Sequence, residues 1–151
     1  MILSAQTIRQ MALSGMISPF HERAVRNGKT LGLGPCTYDM TIAQNIRLEP
    51  GEFLLVSTNE RVNLPHHVCA SVLDKSSWAR RGLSVFNTHF DPGFRGYPTL
   101  ELVNLGPDTI EIFSGEPICQ FKFELLDYTT VMPYTGKYQD QPSYPVESKD
   151  D

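Results

Sequence analysis

From residue 38 onward the apolar residues recur at every second position, in short runs separated by turns that carry proline or glycine. The runs are "YDMTIA", "EFLLVS", "HVCASVL", "LSVFN", "TLELVN", "TIEIF" and "ICQFKFEL". In the last, Cys119, Phe121, Phe123 and Leu125 point to one side while Gln120, Lys122 and Glu124 point to the other. Side chains alternate in this way on a strand, with one face wet and one face dry. The breaks "EPGE", "NLPHH", "DPGFRG", "NLGPDT" and "SGEP" supply residues that fix φ or accept a positive one. Many short strands at this spacing predict a mainly β chain, built as an antiparallel sandwich, jelly roll or distorted barrel.

The flanks follow other rules. Ser4 is placed to cap a helix, and Ile8, Met11 and Ala12 recur at helical spacing until Gly15 ends the run. Residues 17–37 contain Pro19, Gly28, Gly32, Gly34 and Pro35 and read as an irregular connection. Residues 128–151 hold three prolines and four tyrosines with little periodicity, which predicts a mobile C-terminal tail. The 151 residues are most simply one domain, 1–151, large enough to bury a real core.

Charge and cysteine content limit the functional classes. A net charge of −4 argues against a domain that coats a nucleic-acid polymer. Cys36, Cys69 and Cys119 are odd in number and widely spaced, which favours a reducing compartment. With no signal-peptide pattern and no apolar run near the ~20 residues that cross a bilayer, the expectation is a cytoplasmic protein without a membrane partner.

The chemistry-bearing residues form three groups. In "LDKSSWARRGL", Lys75, Ser76, Ser77, Arg80 and Arg81 crowd two hydroxyls between cations, with Trp78 in the middle. Such a loop is either a solvated turn or a phosphate grip, in which amides, hydroxyls and a cation satisfy several oxygens together. Trp78 is then a wall of the site or part of the core beneath. Glu101 in "TLELVN" faces away from Leu100 and Leu102 and shares its side with Thr99 and Val103. It is either a surface glutamate or a carboxylate raised toward neutrality, as a general base needs. Asp91 opens the "DPGFRG" turn, either as a turn former or as an acceptor for a sugar hydroxyl. The four histidines, His21, His66, His67 and His89, show no zinc-ligand spacing, and the H-x-E and P-C-x-x-C signature of zinc deaminases is missing. No zinc is expected.

Taken in order, "ILSAQTIRQMALSGMI", "PCTYDMTIA", "EPGEFLLVSTNERVNLP", "KSSWARRGL", "DPGFRGYPTLELVN", "GEPICQFKF" and "PYTGKYQDQ" resemble the dCTP deaminase family, whose fold is that of the trimeric dUTPases. The resemblance covers nearly the whole chain. It implies a dUTPase-like distorted β-barrel or jelly roll with a short N-terminal helix and a C-terminal tail that closes over the site. It also implies a homotrimer with active sites between subunits, Mg²⁺ carried on the triphosphate, and hydrolytic deamination of dCTP to dUTP and ammonia. Release of dUMP by a bifunctional enzyme, dUTP hydrolysis as in a dUTPase, and nucleotide sensing without turnover are the rival readings.

By that resemblance Glu101 is the catalytic glutamate, Ser76 and the Asn87 carbonyl hold the attacking water, and Arg80 sits near the glutamate. Lys75, Ser76 and Ser77 match the phosphate segment, which continues through Trp78 and Ala79 to Arg80. Asp91 matches the sugar-binding aspartate, and the backbone of Thr99, Leu100 and Glu101 the reader of the base edge. Tyr134, Lys137 and Gln141 match the closing tail, and feedback by dTTP is common in the family. The chain departs from the pattern at Lys75, where arginine is frequent, at Asp74 for glycine, at Trp78 for a smaller residue and at His89 for an arginine. It is also shorter than the bacterial enzymes.

Overall fold

In the computed structural model, which describes residues 1–150, the alternating run at the end of the sequence becomes the central strand of the largest sheet. This strand, β14 (Pro117–Leu125), pairs antiparallel with β8 (Val68–Asp74) on one edge and with β4 (Tyr38–Thr41) on the other. Cys119, Phe121 and Phe123 are completely buried on its dry face, while Gln120, Lys122 and Glu124 keep some exposure. Each buried aromatic ring removes enough apolar surface to be worth about 1.5–3 kcal/mol. The register sets Phe121 opposite Val72 on one side and Tyr38 on the other, so the core is continuous across the sheet.

Helix α1 (Ala5–Leu13) forms where the spacing of Ile8 and Ala12 predicts, and these two are its buried residues. Ser4 is the capping position, although its hydroxyl contacts the Thr7 hydroxyl at 3.2 Å instead of a backbone amide. The predicted runs appear as β4, β8 and β14 and as β6 (Phe53–Ser57), β9 (Leu83–Val85), β12 (Thr99–Asn104) and β13 (Ile110–Ile112). A separate sheet runs in the order β6-β12-β9.

Residues 17–37 are not an irregular connection. They hold β1 (Ile17–Ser18) and a hairpin of β2 (Ala24–Arg26) and β3 (Lys29–Leu33) that adds to the edge of the large sheet. Arg26 faces Lys29 across a two-residue turn, with Asn27 and Gly28 at φ values of 49° and 73°. Two consecutive left-handed residues suit the right-handed strand twist, and Asn-Gly is the dipeptide that adopts them most easily. Short strands β5 (Ile46–Leu48), β7 (Arg61–Asn63), β10 (His89–Phe90) and β11 (Arg95–Gly96) complete the described sheets.

The tail follows β14. It has no regular element, yet residues 134–146 lie against the barrel as a strap. Phe121, Phe90, Phe94 and Tyr134 form a chain of ring contacts from the core out to the strap, with centroids 4.8–5.8 Å apart. Gln141 pairs with Gly96 in a parallel bridge. Gly96 has φ 143°, and a Cβ there would come 2.6 Å from the Gln141 amide nitrogen, so a larger residue would push the strap away.

Candidate active site

A cavity of about 740 Å³ opens between the β6-β12 face, β10 with the turn that follows it, and the strap. Thr99 and Glu101, which alternation puts on one face of β12, form its floor. Leu55 stands opposite Glu101 across the β6 pairing and contributes an apolar wall. Asp91 and His89 line the mouth, with His89 Nε2 3.5 Å from Asp91 Oδ1. Tyr134 and Gln141 close the other side from the strap. Five predicted residues, Asp91, Thr99, Glu101, Tyr134 and Gln141, are thus brought together.

Glu101 is half-buried, and its Oε2 is enclosed without a hydrogen-bond partner. Desolvation raises its pKa above the ordinary glutamate value, and the hydrogen bond from its own backbone amide opposes that shift only in part. A carboxylate so placed takes a proton more readily than a surface glutamate. Next to it, the Thr99 amide donates to Gln141 Oε1 at 3.2 Å, and the Val146 amide donates to Thr99 Oγ1 at 3.1 Å. The Glu101 carbonyl accepts from the Phe86 amide at 3.0 Å.

The "KSSWAR" segment lies apart from this cavity. Ser76–Ala79 form the short helix α2, entered from the end of β8. Ser76, Ala79 and Arg80 are exposed, as is Asn87 in the following loop. Ser77 Oγ is enclosed and has no partner. Trp78 belongs to the core: it is 2% exposed and its indole N–H donates to the Pro117 carbonyl at 2.7 Å. Lys75 turns inward, to an ion pair with Asp39 Oδ2 at 2.9 Å and a hydrogen bond to Thr30 Oγ1 at 3.2 Å. It therefore anchors the start of α2 in this chain and does not reach the cavity. Leu100 points into the core. Lys137 is exposed on the strap, its ammonium 5.7 Å from the centre of the Tyr138 ring, and does not line the cavity.

Phe53, Leu55 and Val146 also line the cavity and escaped the sequence reading, and so does Tyr138, a member of the ligand-capable tail cluster with no role assigned to it. Leu55 and Phe53 could be placed there only through the strand register, in which they oppose Glu101 and Val103. Among the described residues no group of three or more His, Cys, Asp or Glu side chains is arranged to hold a metal, and no helix is long and apolar enough to cross a membrane.

Residues 36–126 match the dCTP deaminase-like family. The chain belongs to that family. A dCTP deaminase from Acidobacterium capsulatum is 31% identical over 173 aligned positions, covering 93% of this chain and 94% of that protein. A "dCTP deaminase, dUMP-forming" from Coprothermobacter proteolyticus is 44% identical over 98 positions, covering 62% of this chain but 53% of its own length. Among solved structures, the Agrobacterium tumefaciens 2'-deoxycytidine 5'-triphosphate deaminase superposes with a TM-score of 0.69 at 18% identity, covering 82% of this chain and 48% of the other. The EIAV dUTPase superposes at 0.59 with 17% identity, covering 81% and 98%. These two likenesses establish the shared fold: mainly β, with a short N-terminal helix.

Proposed function

We propose that this family member hydrolyses dCTP to dUTP and ammonia, with Glu101 as general base and then general acid. The observation that carries the reading is the Glu101 carboxyl, enclosed on the floor of a nucleotide-sized cavity with a free oxygen and a raised pKa. In this reading Glu101 takes a proton from water as the oxygen attacks C4 of cytosine. It returns protons to the ring nitrogen and to the departing amino group, so water is consumed and ammonia leaves. Asp91 accepts a sugar hydroxyl, and Tyr134 and Gln141 cover the nucleotide and exclude water.

The α2 hydroxyls, Ser76 and Ser77, serve the triphosphate, whose Mg²⁺ arrives with the substrate; zinc has no part in the scheme. Their separation from Glu101 on one chain supports a homotrimer in which neighbouring subunits complete each site. Arg80, exposed at the end of α2, then acts on a neighbour's Glu101, while the Asn87 carbonyl, one residue after the Phe86 amide that meets the Glu101 carbonyl, holds the water.

Release of dUMP is the second reading, since relatives named dUMP-forming and relatives named dCTP deaminase are equally similar, at 44% identity each. One assay decides among these: incubation with dCTP or dUTP plus Mg²⁺, resolving dUTP, dUMP, ammonia and pyrophosphate. dUTP with ammonia supports the first reading, and dUMP with pyrophosphate from dCTP supports the second. Hydrolysis of dUTP alone would identify a dUTPase, and binding without turnover a sensor. Turnover that survives a zinc-selective chelator while Mg²⁺ is supplied is expected, and tightly held stoichiometric zinc would contradict the scheme.

A further inference from the structure

The strap is fastened outside the cavity. Arg95, at the start of β11, donates Nε to Asp140 Oδ1 at 2.6 Å and Nη2 to Asp140 Oδ2 at 2.9 Å. This two-point fork fixes orientation as well as distance. Arg61 adds a second cation, 3.7 Å from the same carboxylate. Hydrogen bonding from Arg95 is the main reason the Asp140 carboxyl lies below the usual range. Backbone contacts reinforce the fork: the Asp140 amide donates to the Arg95 carbonyl at 2.8 Å, and the Arg95 amide to Gln139 Oε1 at 2.9 Å.

The next residue is Gln141, and its position matters to the site. Its carbonyl accepts from the Tyr97 amide at 3.1 Å, and its side chain accepts from the Thr99 amide, two residues before Glu101. Residues 137–140 form a turn that leads into the isolated Gly96–Gln141 bridge, so a slip there would carry the Gln141 side chain away from the Thr99 amide. A strap without a ladder needs some residue-specific contact to prevent that slip. Asp140 sits in the left-handed region at φ 58°, a conformation that Asp and Asn tolerate better than most residues.

We propose that Arg95 and Asp140 form a clasp that sets the register of the strap over the Glu101 cavity, so that both are positioning residues although neither lines the cavity. The role in turnover rests on the reading of that cavity as the deamination site. The test uses Arg95→Gln, Asp140→Asn and the double variant in the full chain, since Asn retains the tolerance for left-handed backbone. Amide exchange at Tyr97 and Thr99 is measured beside KM and kcat for dCTP.

Each single variant should speed exchange at those two amides about two- to fivefold, the range of a well-formed exposed pair, and raise KM by a similar factor. The double variant should be no worse than either single, and the amide of Phe121 in the core should not change. Equal exchange in wild type and double variant would overturn the clasp. Faster exchange with unchanged KM would overturn the positioning role. Failure of the wild type to turn over dCTP would remove the functional reading and the positioning role with it, while the exchange measurement still decides whether the clasp exists.

Discussion

Replacing Lys75 by Met tests whether this residue is an anchor of the fold or a hand on the phosphate. The Lys75 ammonium and the Asp39 carboxylate are 6% and 7% exposed, and 2.9 Å separates them. Lys75→Met leaves Asp39 buried with only the Thr30 hydroxyl, at 3.2 Å, as a donor, while Oδ1 already lacks a partner. Stranding one member of a buried pair costs about 3–5 kcal/mol. That is a large part of the roughly 5–15 kcal/mol that holds a domain folded. Removing both charges, as Asp39→Val with Lys75→Met, should return the protein to within about 1–2 kcal/mol of wild type, because no charge is then left to desolvate. Urea titration of the four proteins at pH 7, at matched chain concentration, gives the coupling directly. A Lys75→Met loss below about 1 kcal/mol, or a double variant as unstable as the sum of the singles, would refute the buried-pair argument. The refolded double variant also separates the two roles of Lys75. An unchanged KM for dCTP identifies an anchor, and a raised KM in a fully folded protein identifies the phosphate contact suggested by the sequence.

Glu101→Gln should keep the fold and nucleotide binding but lower turnover by about 10²–10⁴-fold, and near-normal deamination would exclude Glu101 as the base. Glu60 is buried where desolvation lifts its carboxyl to about 7 against hydrogen bonds from the Thr41 amide and hydroxyl. Because the folded value lies above the unfolded one, its contribution is fully present below the ordinary glutamate pKa and is lost as pH rises through 7. Glu60→Gln should therefore flatten the fall in stability between pH 5 and pH 8, and parallel urea curves for the two proteins would disprove this. Trp78→Phe leaves the Pro117 carbonyl without its donor and should cost about 1–3 kcal/mol, measured by the same titration. Co-refolding inactive Glu101→Gln and inactive Ser76→Ala chains should regain activity if the two residues act across a subunit boundary, and no recovery would contradict a site shared between subunits.

What the sequence determined by itself was the set of local alternations. The period-two runs placed β4, β6, β8, β9, β12, β13 and β14, because a half-buried strand must alternate whatever it packs against. They also put Glu101 on the face away from the core, where the cavity later appeared. Asn27-Gly28 carried the β2–β3 hairpin just as locally, but the prolines and glycines around it masked the signal. The three-dimensional fold decided matters that depend on distant partners. Lys75 reads as a phosphate ligand beside Ser76 and becomes an anchor only because β4 brings Asp39 beneath it, 36 residues away in sequence. Phe53 and Leu55 become cavity walls through the register of β6 on β12, and the aperiodic tail becomes a strap because Arg95 waits on β11 to meet Asp140. Local pattern fixes which way a side chain points along its own strand, and long-range pairing decides what stands opposite it.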